Sequence, residues 1–104
     1  MNNKIKDEAT DLLFEAILSL KNEEECYNFF EDLCTVPELK AMSQRIVVAK
    51  MLTDKKVYSD IVAKTGASTA TISRVNRSLI YGSDGYEMVF GRIFDKKEDK
   101  AEDK

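Results

Sequence analysis

No histidine occurs among the 104 residues, and there are only one proline, four glycines and two cysteines. Without histidine the commonest general base is missing, and no serine or cysteine stands in a recognisable nucleophile motif, so nothing in the chain supports an enzyme. A zinc site would need carboxylates or the thiols of a second chain, and neither a metal nor a cofactor is expected. Cys26 and Cys34 stand eight residues apart on one helical pattern, about 12 Å along the axis. They are too distant to bridge and read as two buried free thiols of a reducing cytosol. No apolar run approaches a membrane span, and the opening M-N-N-K-I-K-D-E is polar and acidic rather than a signal peptide. A cytoplasmic protein with no membrane partner is expected. Strand-like alternation bounded by turn signals is also missing, which with 43% hydrophobic residues leaves a globular, all-α fold.

What is present is concentrated between Tyr58 and Leu79, Y-S-D-I-V-A-K-T-G-A-S-T-A-T-I-S-R-V-N-R-S-L. Two short amphipathic patterns meet at one glycine, the outline of a helix-turn-helix over about residues 58–80. Ile61, Val62 and Thr65 are expected to face inward, with Ser59, Asp60, Ala63 and Lys64 outside. Gly66 ends the first helix because a left-handed residue just past a helix end is cheap only for glycine. Ser68 is a good N-cap for the second. That helix buries Ile72, Val75 and Leu79 and offers Thr69, Ala70, Thr71 and Ser73, small enough for the backbone to approach base edges in a major groove. Arg74 and Arg77, one turn apart, suit phosphate oxygens.

The formal charge of −3 conceals a strong asymmetry. Residues 1–39 carry 3 basic and 10 acidic side chains, residues 40–80 carry 8 and 2, and residues 81–104 carry 5 and 7. Basic charge, from Lys40 through Lys50 and Lys64 to Arg77, thus gathers on the segment holding the reader, as double-stranded DNA requires. A competing reading keeps the helix-turn-helix as scaffold in a protein-interaction module whose acidic flanks bind a basic partner.

Six helices are expected in one domain, residues 1–94. The first, about residues 4–20, aligns Ile5, Ala9, Leu12, Leu13, Ala16, Ile17 and Leu20. Asn22 with Glu25 and Thr35 with Glu38 read as capping boxes opening the second and third. The second turns Cys26, Phe29, Phe30, Leu33 and Cys34 inward, and the third turns Leu39, Met42, Ile46, Ala49 and Leu52. The last follows Ser83 with Tyr86, Val89, Phe90, Ile93 and Phe94. Residues 95–104, D-K-K-E-D-K-A-E-D-K, read as a disordered charged tail. A domain this short buries only about two-thirds of its unfolded surface, so such rich stripes call for a second copy. A homodimer would present two recognition helices to successive grooves of a palindromic operator.

Gly66-Ala67, Ala70-Thr71-Ile72-Ser73-Arg74 and Ser78-Leu79 together resemble the reader of the tryptophan repressor (TrpR-like) family, and in detail its YerC/YecD branch. The resemblance covers about residues 8–94. It implies a six-helix, intertwined homodimer that binds operator DNA and regulates transcription, a repressor since no further domain is seen for recruiting polymerase. Thr69, Ala70, Thr71 and Ser73 would face bases, with Ser59 on the preceding helix, and Lys64, Ser68, Arg74 and Arg77 beside them. The family's small-molecule corepressor lies between two arginines, which implies an effector site at Thr35, Arg45, Arg74 and Ser78. Val75 departs from the pattern: it replaces a glycine that leaves room for an indole ring, so tryptophan is not the expected effector.

Overall fold

The computed structural model describes residues 4–95, and within them six α-helices and a π-helical turn. Residues 96–104, most of the expected tail, lie outside the described residues. The chain forms two compact units, one up to Ala41 and one from Met42 onward.

In the first unit α1 (Glu8–Leu18) begins later than its periodicity predicts. Asp7 is the reason: its carboxylate accepts the Thr10 N–H at 2.7 Å while its own backbone is extended, which fixes the helix start and leaves Ile5 outside. At the other end the Ser19 hydroxyl donates to the Ala16 carbonyl. In α2 (Glu23–Leu33) Asn22 accepts from the Glu25 N–H, but Glu25 reaches back to the N–H of Lys21 rather than that of Asn22. The helix stops at Leu33 because Cys34 turns extended, so the two cysteines do not share a helix. Cys26 is exposed and Cys34 half-buried, against the expectation of two buried thiols.

Thr35 and Glu38 do form the reciprocal box that opens α3 (Val36–Thr53), each side chain accepting the other's backbone N–H at 3.2 and 2.9 Å. These backbone donors hold the Glu38 carboxyl, like that of Asp7, below the usual carboxylate range. Neither α1 nor α2 buries a single residue. Leu12, on the apolar stripe of α1, is 67% exposed, and Leu33, expected inward, is exposed as well.

The second unit holds the core. Val48 and Ala49 of α3, Ile61 of α4 (Tyr58–Thr65), Ala67, Ile72 and Val75 of α5 (Thr69–Tyr81) and Phe90 of α6 (Gly85–Phe90) are buried, with Met51, Leu52, Leu79, Tyr86 and Phe94 packed against them. Met42 and Ile46, expected inward, are exposed, and Val48 takes their place because the apolar side of α3 is broader than one stripe. Beyond α6 the chain overwinds into the π-helical turn Gly91–Asp95, and Tyr86, Phe90 and Phe94 follow one another with ring centroids 5.9 and 5.6 Å apart. Val89 and Ile93, placed on the same stripe by periodicity, stay exposed.

A left-handed residue ends α3. Lys55 has φ +66°, its N–H donates to the Leu52 carbonyl, and the Lys56 N–H donates to that of Met51, the bond pattern of a helix end that favours glycine at the left-handed position. A side chain with a Cβ pays about 1 kcal/mol there. Lys55→Gly is therefore expected to raise the urea midpoint at unchanged slope by an amount equivalent to about 1 kcal/mol; a lower midpoint would show that the lysine side chain stabilises the turn.

Candidate nucleic-acid interface

The turn between α4 and α5 is determined residue by residue. Gly66 has φ +72°, and a Cβ built there would meet nothing within 4 Å, so the requirement for glycine is conformational and not steric. Thr65 ties the bend from both sides: its hydroxyl donates to the Ile61 carbonyl at 2.7 Å and accepts the Ala67 N–H at 3.1 Å. Across the unit, Gln44 of α3 donates from Nε2 to the Thr65 carbonyl at 3.1 Å, satisfying an acceptor at the end of α4. Ala67 then enters the core, and Ser68 accepts the Thr71 N–H at 3.1 Å to start α5. At the far end Gly82 is required for space, since a Cβ there would lie 2.3 Å from the Ser78 carbonyl oxygen.

This scaffold gives α5 two distinct sides. Ile72 and Val75 are buried and Leu79 half-buried, as their spacing predicts. Thr69, Ala70, Ser73, Arg74 and Arg77 are exposed, and Thr71 is half-buried. The Ser68 hydroxyl donates to Thr71 Oγ1 at 3.0 Å, which occupies an acceptor of that threonine and leaves its own proton available. On α4, Ser59 and Lys64 are exposed, and so is Val62, against expectation. Ile61 and Thr65, one turn apart, take the inner line of this eight-residue helix, and Val62 is rotated about 100° away from it.

The basic surface is smaller than the sequence implies. Lys50 is directed into its own unit, 3.0 Å from an Asp54 oxygen and 4.3 Å from the centroid of the Phe94 ring. Arg74 and Arg77 remain exposed on α5, as Lys64 does on α4.

The four residues expected at an effector site are not gathered around one cavity. Ser78 lines a hollow of about 490 Å³ with Ile46, Gly82, Ser83, Gly85, Tyr86, Met88 and Val89, while Arg45 and Arg74 are exposed elsewhere on the unit and do not line it. Thr35 belongs to the first unit, where its hydroxyl caps α3. Val75 is packed in the core beside Ile72. Among the described residues no group of histidine, cysteine or carboxylate side chains is placed to hold a metal ion, and no helix is long and apolar enough to cross a membrane.

Two contributors to the interface escaped the sequence reading. Gln44 braces the turn from 21 residues away, and no local pattern announces such a contact. Tyr81, the last residue of α5, lies with its ring under the Arg77 guanidinium; the i, i+4 spacing of the two was the available signal.

The sequence pattern of the family described as Trp repressor protein matches residues 8–93, which include the whole of this interface. The chain is 53% identical over 91 residues to the protein YerC of Bacillus subtilis (strain 168), covering 88% of each chain. It superposes with a TM-score of 0.85 on the crystal structure of a TrpR-like protein from Eubacterium eligens ATCC 27750, at 62% identity over 88% of this chain and 95% of the other. A Staphylococcus aureus protein provisionally named a Trp repressor gives the same TM-score at 53% identity, covering 89% of this chain and 94% of its own. The chain belongs to the Trp repressor protein family, in the TrpR-like branch that contains YerC, a family of regulatory DNA-binding proteins and not of enzymes.

Proposed function

We propose that the chain is a sequence-specific, double-stranded DNA-binding transcriptional repressor that acts in the cytoplasm as a homodimer on a palindromic operator. One observation carries this reading: the N-terminal half of α5 exposes Thr69, Ala70, Ser73 and Arg74 while Ile72 and Val75 lock its opposite side into the core. Small side chains let the helix sink into a major groove, where Thr69, Thr71 and Ser73 offer hydroxyl groups to base edges and Ala70 a methyl. Ser68, Arg74 and Arg77 on α5, with Ser59 and Lys64 on α4, supply the sequence-independent contacts to phosphate that set register. Residues 1–94 act as one functional domain, in which the uncovered stripes of α1 and α2 pair two protomers and set the spacing of two readers. If an effector acts, Thr35, Arg45, Arg74 and Ser78 are the candidates to bind it, and Val75 occupies the place an indole ring would need.

The deciding experiment is selection of bound fragments from random duplex DNA at physiological salt, followed by sequencing. A motif with two-fold symmetry, its half-sites about one helical turn apart, is the expected result. Absence of any enriched duplex would sink the proposal and favour a protein-interaction module with the helix-turn-helix as scaffold.

A further inference from the structure

Tyr81 closes α5 with 77% of its surface exposed, an unusual place for a large ring that its own unit does not cover. The Arg77 guanidinium stands over that ring, with Cζ 5.8 Å from the centroid. Four residues is the spacing at which helical side chains stack along one face, so the contact is built into the helix. Arg77 takes no part in the ion pairs of the described residues, Lys6 with Asp11 and Lys50 with Asp54. The aromatic face is thus the one interaction the structure gives its charge.

We infer that Tyr81 is a positioning residue for Arg77: its ring holds the guanidinium over the outer face of α5, ready for a DNA phosphate. The inference rests on the proposed role of α5 as the groove reader. Its physical basis is the shape of the group. A guanidinium carries five N–H donors in one plane, and a contact through an aromatic face leaves those donors available to a phosphate fork. A free arginine loses rotamer freedom when it takes hold of a phosphate, and a side chain already held in place loses less. The aromatic contact is at an exposed site, where such attractions change an equilibrium by about two- to five-fold. The tyrosine hydroxyl plays no part.

The test measures binding of the full chain to its selected duplex across a salt series, by fluorescence anisotropy, for wild type, Tyr81→Ala, Tyr81→Phe, Arg77→Ala and the double variant Arg77→Ala/Tyr81→Ala. Tyr81→Ala is expected to weaken binding about two- to five-fold and to move the salt slope toward that of Arg77→Ala, which falls by about 1 for one lost phosphate contact. Tyr81→Phe, which keeps the ring, should restore the loss. In the double variant the tyrosine change should add nothing to the arginine change. Thermal melts of the free proteins should coincide, because Tyr81 has no cover to lose. Three results would overturn the inference: wild-type affinity in Tyr81→Ala, a Tyr81→Phe variant as weak as Tyr81→Ala, or losses that multiply in the double variant. Failure of the wild-type chain to bind any duplex would instead remove the groove-reader reading, and the inference with it.

Discussion

Ile72→Ala is expected to destabilise the protein by about 2–5 kcal/mol, the range for truncating a fully buried aliphatic side chain. Ile72 has no exposed surface, and it is among the seven buried residues that form the core of the unit from Met42 onward. A core this small contains little redundancy. Ile72 joins α5 to the buried side chains of α3 and α4, and the cavity left by its truncation could close only if α5 moved. Whole domains are stable by only about 5–15 kcal/mol, so the loss is a large share of the total. A melting temperature lower by 10 °C or more is expected from the usual entropy of unfolding of a chain near this size, roughly 4–8 °C per kcal/mol. Arg74→Ala, one helical turn or less away but on the exposed side, should leave the melt unchanged while weakening DNA binding. A shift below about 1 kcal/mol for Ile72→Ala would mean that α5 is not anchored through this contact, and the separation of its two sides into anchor and reader would be wrong.

That separation is also where the sequence was most legible. Gly66, Ser68 and the stripe Ile72, Val75, Leu79 each act within a few residues, and each structural counterpart is present: a positive φ, a cap bond and a buried side. The Thr35 and Glu38 box was readable for the same reason. Errors arose where two local signals competed or where the answer lay across the fold. The periodicity of α1 continues to Ile5, yet the Asp7 cap ends the helix sooner, because an N-terminal bond at 2.7 Å outweighs the propensity of a few preceding residues. Val62 and Ile61 are adjacent apolar residues on a helix of two turns, and pattern alone could not assign which of them meets α5. Cys26 and Cys34 looked buried because cysteine usually is, but α2 ends before Cys34 and has no covered face. The Gln44 bond to Thr65 and the inward turn of Lys50 toward Phe94 depend on tertiary neighbours, so no linear spacing encodes them.

Leu12→Asp is expected to produce a monomer with no measurable affinity for a two-fold-symmetric site, and the reason lies in the same uncovered faces. Periodicity reveals that a helix has an apolar side but not what meets it. Leu12 projects from α1 at 67% exposure within a helix that buries nothing, beside an α2 that buries nothing either. In the proposed homodimer the partner's helices cover it. A carboxylate placed in that contact loses its hydration without gaining a partner, a penalty of about 3–5 kcal/mol for a charge left unpaired. Two-fold symmetry repeats the substitution in both protomers, so the assembly suffers it twice. Sedimentation at micromolar concentration should show half the wild-type mass, and operator binding should fall by several orders of magnitude because one reader then engages one half-site without the other. Leu12→Met, similar in volume and apolar, should retain the wild-type mass. The two outcomes separate interface loss from general damage to α1: a dimer that survives Leu12→Asp would place the pairing surface elsewhere, and the exposed stripe of α1 would need another occupant.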